Sequence, residues 1–261
     1  MQLNYRQYSD QGKPLLILHG LFGSLSNWGW HSKQLARTYA VHGIDLRNHG
    51  DSPHADELNY QLMAEDVKQL MDQLEITKSY LIGHSMGGKV AMQLALTYPQ
   101  LVCRLIVVDI APVAYSDKTD GHLNIMFGMN ALNIEQLDSR KQAEVHLAEF
   151  IEDEVTRKFV LTNLVRDVDG TYRWRLNLSA IQQHYDRLRE KPIGTEAFMK
   201  PTLFVKGALS NYIQAKDEAE ILELFPTATV KIIMQAGHWL HADKPQAFQK
   251  IAFDFLSQAE D

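Results

Sequence analysis

Cysteine is nearly absent. Cys103 is the only one in 261 residues, so no intrachain disulfide forms and no cysteine-based metal site can be assembled. No apolar run is long enough to span a bilayer. The longest charge-free stretch, Pro14 to Ser32, carries three glycines and two histidines among small polar residues. Met1 to Pro14 lacks the apolar centre of a signal peptide, which makes a cytoplasmic protein the expectation. Positive charge is in deficit: 26 Lys and Arg against 32 Asp and Glu leave a net −6, and nothing electrostatic calls for nucleic acid or an anionic membrane as partner. GxxxxGK[ST], GxGxxG after a strand, HExxH and paired CxxC are missing as well, so no nucleotide, flavin or metal cofactor is expected.

What is present is an ordinary globular composition, 45% hydrophobic and 22% charged. The length suits one large domain or a domain with an insertion, and roughly 73% of the unfolded surface is buried at this size. Short apolar runs at Leu15–Leu18, Val41–Asp45, Tyr80–Ile82, Leu105–Val108, Leu203–Val205 and Val230–Ile233 alternate with amphipathic segments such as Asn59–Leu74 and Met86–Tyr98. That alternation predicts an α/β fold with a mostly parallel central sheet flanked by helices. It breaks between Val113 and Pro192, where helical patterns (Ile134–Phe150, Asp153–Val165, Ser179–Arg189) surround one alternating segment, Tyr172–Leu178. About 80 residues are too many for a plain loop. The expectation is a helical cap over 113–192 inserted into a core formed by 1–112 and 193–261.

Gly83-His84-Ser85-Met86-Gly87 follows an apolar strand and opens a helix, the context of a nucleophile elbow. A sharp turn there lifts the serine hydroxyl over the sheet, and the flanking glycines let neighbouring backbone pass. A hydroxyl needs a base, and eleven histidines compete for the role. His238 sits just past the last apolar strand, where such sheets place site residues. His84 must point away from Ser85, His241 reads as a core or cap histidine, and His19 reads as structural. The carboxylate that orients the base has two candidates between Ser85 and His238. Asp109 ends the run Leu105–Val108 and is preferred; Asp217 lies in a helical segment after Leu203–Val205. Ser210 is placed near His238 as an assistant. His19-Gly20-Leu21-Phe22-Gly23 supplies the second part of an oxyanion hole: amides of Met86 and Leu21 are the expected donors, Phe22 the less favoured one. Trp28, Phe22, Met126, Phe127, Met129, Trp174, Tyr212 and Trp239 are candidates for an apolar substrate pocket.

Together the motifs resemble the α/β-hydrolases, and more narrowly the bacterial YbfF-type esterases. The resemblance rests on His19–Leu25, Asp45–Gly50 with Ser52, Gly83–Lys89, Val108–Val113 and Gly237–Ala242 with Lys244-Pro245. It implies the α/β-hydrolase fold, a helical cap over an acyl site, Asp109 as the acid, and hydrolysis of short- to medium-chain esters or thioesters as small-molecule substrates. A monomer or homodimer is expected. Two other readings stand beside it. One is a lyase or C–C bond hydrolase similar to the menaquinone-pathway synthase, using Arg140, Arg157, Arg173 or Arg175 to hold a carboxylate. The other is a signalling or binding protein that retains the Ser-His-Asp set.

Overall fold

A strand buried on both faces needs apolar side chains at consecutive positions, and the runs read from the sequence supply them. The computed structural model describes residues 1–116 and 121–259. Its strands are β1 (Tyr5–Gln7), β2 (Pro14–Leu18), β3 (Ala40–Ile44), β4 (Ser79–His84), β5 (Val102–Val108), β6 (Leu164–Arg166), β7 (Tyr172–Trp174), β8 (Thr202–Gly207) and β9 (Ala228–Ile233). Seven of them form one sheet in the order β1-β3-β2-β4-β5-β8-β9. Only the β1–β3 pair is antiparallel; the other neighbours are parallel. β6 and β7 pair antiparallel in a separate ribbon.

Alternate residues of the central strands feed two apolar layers. Ile17, Ile82, Ile106 and Val205 pack with Leu35, Phe248 and Phe255 from the helices Gly29–Leu35 and Pro245–Leu256. Leu16, Leu81, Leu105 and Phe204 face the other way, against Met63, Val67 and Leu94 of the helices Tyr60–Gln73 and Met86–Thr97. The Tyr60–Gln73 helix starts where expected, because the Asn59 side-chain Oδ1 accepts from the Leu62 amide at 2.9 Å.

The edges differ from the sequence reading. β1, all three residues exposed, carries no apolar signal and was not anticipated. β9, expected as a buried strand, lies at the opposite edge and leaves Val230 47% and Ile232 55% exposed.

Between β5 and β8 the chain leaves the sheet and forms the helices His122–Ala131, Arg140–Leu147, Glu154–Leu161, Leu178–Gln183 and Tyr185–Arg189. The expected helix Ile134–Phe150 is broken: a single turn at Ile134–Gln136 precedes Ser139, whose hydroxyl accepts from the Gln142 amide and restarts the helix. The expected helix Asp153–Val165 ends at Leu161, and Val165 pairs in β6 instead. His184 divides Ser179–Arg189 in two. Residues 117–120 of the expected cap and 260–261 of the expected core lie outside the described residues. Among the described residues no helix is long and apolar enough to cross a membrane.

Candidate active site

At the carboxyl end of β4 the backbone of Ser85 takes φ 52° and ψ −118°, a conformation that ordinary side chains rarely adopt. The turn is held from both sides. The Ser85 amide donates to the Val108 carbonyl of β5 at 3.0 Å, and Gly87, in the first turn of the helix Met86–Thr97, is pressed against the end of β2. A Cβ on Gly87 would lie 2.4 Å from the His19 carbonyl oxygen and 2.6 Å from that of Leu18, so only glycine fits. The same arrangement recurs one strand over. Asp109 follows β5 with φ 51°, and its amide donates to the Val205 carbonyl at 2.9 Å. The ladder therefore runs on past the formal strand ends and fixes both side chains relative to each other.

Asp109 is fully buried, and its carboxylate accepts from several donors. The Gly207 amide reaches Oδ1 at 3.0 Å, while the Ser210 hydroxyl and His238 Nδ1 both reach Oδ2, the latter at 2.8 Å. Donation from Nδ1–H leaves His238 Nε2 as the acceptor facing Ser85 Oγ at 3.0 Å. Gly207 is required by a close approach: a Cβ there would meet the Gly237 carbonyl oxygen at 2.2 Å. The Tyr212 ring stacks on the His238 imidazole with centroids 4.0 Å apart.

The structure thus brings Ser85, His238 and Asp109 together. Asp217 is elsewhere, its carboxylate accepting from the Gln214 amide at 2.8 Å at the start of a helix. Ser210 lies beside His238, its hydroxyl donating to the same Asp109 oxygen as His238 Nδ1.

Other histidines support the loops around this set. His84 donates from Nε2 to the His238 carbonyl at 2.9 Å, and burial pushes its pKa well below the ordinary value. His19 donates from Nδ1 to the Gly20 carbonyl at 2.8 Å and accepts from the Leu46 amide at 3.0 Å, which ties the 19–23 loop to the end of β3. His241 lies flat on Trp28 at 4.3 Å, and burial lowers its pKa to about 3. His49, packed 5.3 Å from His19, is likewise lowered to about 3 by burial and by the neighbouring His19.

Two clefts meet at Ser85. Leu21, Phe22, Trp28, His122, Ile125, Phe159, His238 and Trp239 are among the walls of the first. The second lies between Tyr60, Met86, Ile110, Tyr115, Leu188 and Tyr212. Leu21 and His122 border both. Of the residues expected in the pocket, Met126, Phe127, Met129 and Trp174 line neither cleft. The His122–Ala131 helix turns His122 and Ile125 toward Ser85, which buries Met126 and Met129 in the apolar layer behind and leaves Phe127 57% exposed. The Trp174 indole donates to the Met129 carbonyl at 3.2 Å. His122 carried no sequence signal, being an isolated histidine in a helix that was not foreseen. Tyr60 and Leu188 read only as helix positions.

The chain matches the α/β hydrolase fold over residues 13–245. It belongs to that family. It is 42% identical to the sn-1-specific diacylglycerol lipase ABHD11 of Xenopus tropicalis over 99% of this chain and 83% of that protein. Esterase YbfF of Escherichia coli is 35% identical across 98% of this chain and all of its own length. Among solved structures, one described as a marine microorganism esterase superposes with a TM-score of 0.96 at 38% identity, covering 98% of this chain and 99% of its own. This α/β hydrolase is thereby placed among the carboxylic ester hydrolases.

Proposed function

We propose that the protein is a serine carboxylesterase acting on short- to medium-chain acyl esters through an acyl-enzyme on Ser85. The observation that carries this reading is the unbroken chain Ser85 Oγ–His238 Nε2 at 3.0 Å and His238 Nδ1–Asp109 Oδ2 at 2.8 Å, above an apolar cleft. His238 takes the hydroxyl proton as Ser85 Oγ attacks the carbonyl carbon. The buried Asp109 carboxylate stabilises the imidazolium, and Ser210 and the Gly207 amide hold that carboxylate in place. Negative charge on the former carbonyl oxygen is met by the Met86 amide, in the first turn of its helix where amides lack an intrahelical acceptor, and by the Leu21 amide, with Phe22 the less favoured donor. The alkoxide leaves with the proton from His238. Water then attacks the acyl carbonyl as it surrenders a proton to His238, and His238 returns that proton to Ser85 Oγ as the acid is released.

The clefts suggest how an ester lies. The leaving oxygen must come within reach of His238 Nε2, so the alcohol occupies the first cleft, beside Trp239 and Phe159. The acyl chain then runs into the second, along Met86, Ile110 and Leu188. Residues 113–192 act in this reading as a cap, and a thioester fits the same chemistry. A glyceride ester, as in the name of the Xenopus relative, would place its glycerol in the first cleft.

The arginines considered for a carboxylated substrate are occupied. Arg140 donates to the Leu161 and Leu164 carbonyls, and Arg157 to those of Ile151 and Glu152. Arg173 pairs with Asp167, and Arg175 with Asp51 and Ser24. Arg189, which does border the second cleft, is bonded to Asp186.

The test is steady-state hydrolysis of p-nitrophenyl esters from acetate to palmitate, with Ser85→Ala as control. Multiple turnovers that peak at short or medium chains and vanish in the variant are expected. Absence of turnover on every ester would overturn the reading.

A further inference from the structure

The helix that follows Ser85 carries a lysine where the apolar layer should continue. Lys89 is 1% exposed, among the most buried large side chains in the molecule, and the reaction described above makes no use of it. A buried ammonium is costly unless its protons find acceptors. Those of Lys89 find main-chain carbonyls. Nζ donates to Val113 at 2.6 Å, to Glu190, and at 3.5 Å to Arg189. The Tyr115 ring stands 4.7 Å from the charge and the Tyr60 ring 5.7 Å. Burial pushes the ammonium pKa down to about 7, with Glu190 and Glu220 pulling the other way.

The acceptors have a common meaning. Val113 lies where the chain leaves the sheet after β5, and Arg189 and Glu190 lie where it returns toward β8. The two crossings touch, because the Tyr115 amide donates to the Arg189 carbonyl at 2.9 Å. One turn further along the same helix, Gln93 grips the returning chain twice: Nε2 donates to the Ile193 carbonyl at 2.7 Å, and Oε1 accepts from the Ile193 amide at 2.9 Å. The Tyr60 hydroxyl adds a bond to the Leu188 carbonyl. Tyr60, Tyr115, Leu188 and Arg189 are also walls of the second cleft.

We propose that Lys89 is a positioning residue that clasps both ends of the 113–192 segment to the helix carrying Ser85 and so sets the width of the second cleft, and with it the acyl groups admitted. This rests on the esterase reading. Lys89 touches neither substrate nor the reacting atoms; it acts through Tyr115, Leu188 and Arg189.

The test compares wild type, Lys89→Met and Lys89→Gln on p-nitrophenyl acetate, butyrate, hexanoate and octanoate, with amide hydrogen exchange on the same samples. Losing bonds from a charged donor predicts about a tenfold or greater drop in the kcat/KM ratio between the preferred ester and its neighbours in Lys89→Met. The change should be carried by KM, with kcat on acetate within about threefold of wild type, because Ser85, His238 and Asp109 keep their contacts. Lys89→Gln retains a donor and is expected to fall between, and it carries the test if Lys89→Met does not fold. Exchange at the Tyr115 amide should quicken at least about tenfold while the amides of β4 and β5 hold. A folded variant with an unchanged chain-length profile overturns the proposal, as does an equal loss of kcat on all four esters. If wild type turns over no ester, the esterase reading fails, and exchange at Tyr115 still decides whether Lys89 is the clasp.

Discussion

Ser85 and Asp109 stand on strand ends whose amides continue the ladder of the sheet, from Ser85 to Val108 and Asp109 to Val205, and His238 sits in the turn after β9, beside the β8 end that Ala208 extends to Ile233. The helical segment facing them is held differently, by side chains that reach main-chain carbonyls. Asn163 donates to Phe22 at 2.7 Å, Lys89 to Val113 at 2.6 Å, and Tyr60 to Leu188. A ladder fixes geometry through many mutually supporting bonds, whereas each side-chain tether can be changed alone. The difference suggests where each property resides. In the proposed reading, chemistry belongs with the rigid sheet ends and substrate selection with the tethered helices.

The sharpest way to break the comparison is at the sheet end. Asp109→Asn should slow ester turnover by about 10⁴-fold, since the amide favours the wrong imidazole tautomer. Asp217→Asn, which alters only a helix cap, should stay within a few-fold. Turnover that survives Asp109→Asn and is lost in Asp217→Asn would reverse the assignment. Gly87→Ala comes next. Its Cβ would press on two carbonyl oxygens of the neighbouring strand end, which cannot move without the sheet, so a loss of roughly 3 kcal/mol or more in urea unfolding is expected. A loss below about 1 kcal/mol would show that the elbow is softer than its contacts imply.

The buried histidines give a pH signature to the same half. His49 and His241 have pKa values lowered to about 3 in the folded protein, against an ordinary value of 6.5. From pH 6.5 down toward 3 the unfolded chain takes up a proton at each while the folded protein does not. Stability therefore falls with acidification, by about 1.4 kcal/mol per pH unit for each once well below 6.5. His49→Gln should remove one proton from that slope in unfolding between pH 6 and 4.5, and an unaltered slope would count against it. The smallest effect belongs to the helical half. Asn163→Ala removes the tether to Phe22 and should cost about 1 kcal/mol in melting experiments, leaving the pH slope as it was.

Local sequence carried the sheet half well. Gly83–Gly87 is contiguous, its strand and helix adjoin it, and β2, β4, β5 and β8 announce themselves as apolar runs with no polar face. The choice between Asp109 and Asp217 is less legible, because 129 positions separate Asp109 from His238 and only the β5–β8 and β8–β9 pairings bring them together. The helical half is poorly legible in the sequence. His122–Ala131 has apolar residues all round, so no amphipathic stripe marks it or tells which side faces Ser85. The apolar pattern alone therefore points Met126 and Phe127 toward the pocket, whereas His122 and Ile125 take those positions.

What the amino-acid order determined by itself is therefore the Gly83–Gly87 turn, the alternation of strand and helix, and the family. Each depends on neighbours within one turn or one strand, where spacing and steric limits act directly. What only the tertiary structure decided is which carboxylate meets His238, which aromatic rings wall the clefts, and why a lysine is tolerated in the apolar layer. Those depend on strand register and on main-chain carbonyls brought from a hundred residues away, which no local pattern encodes.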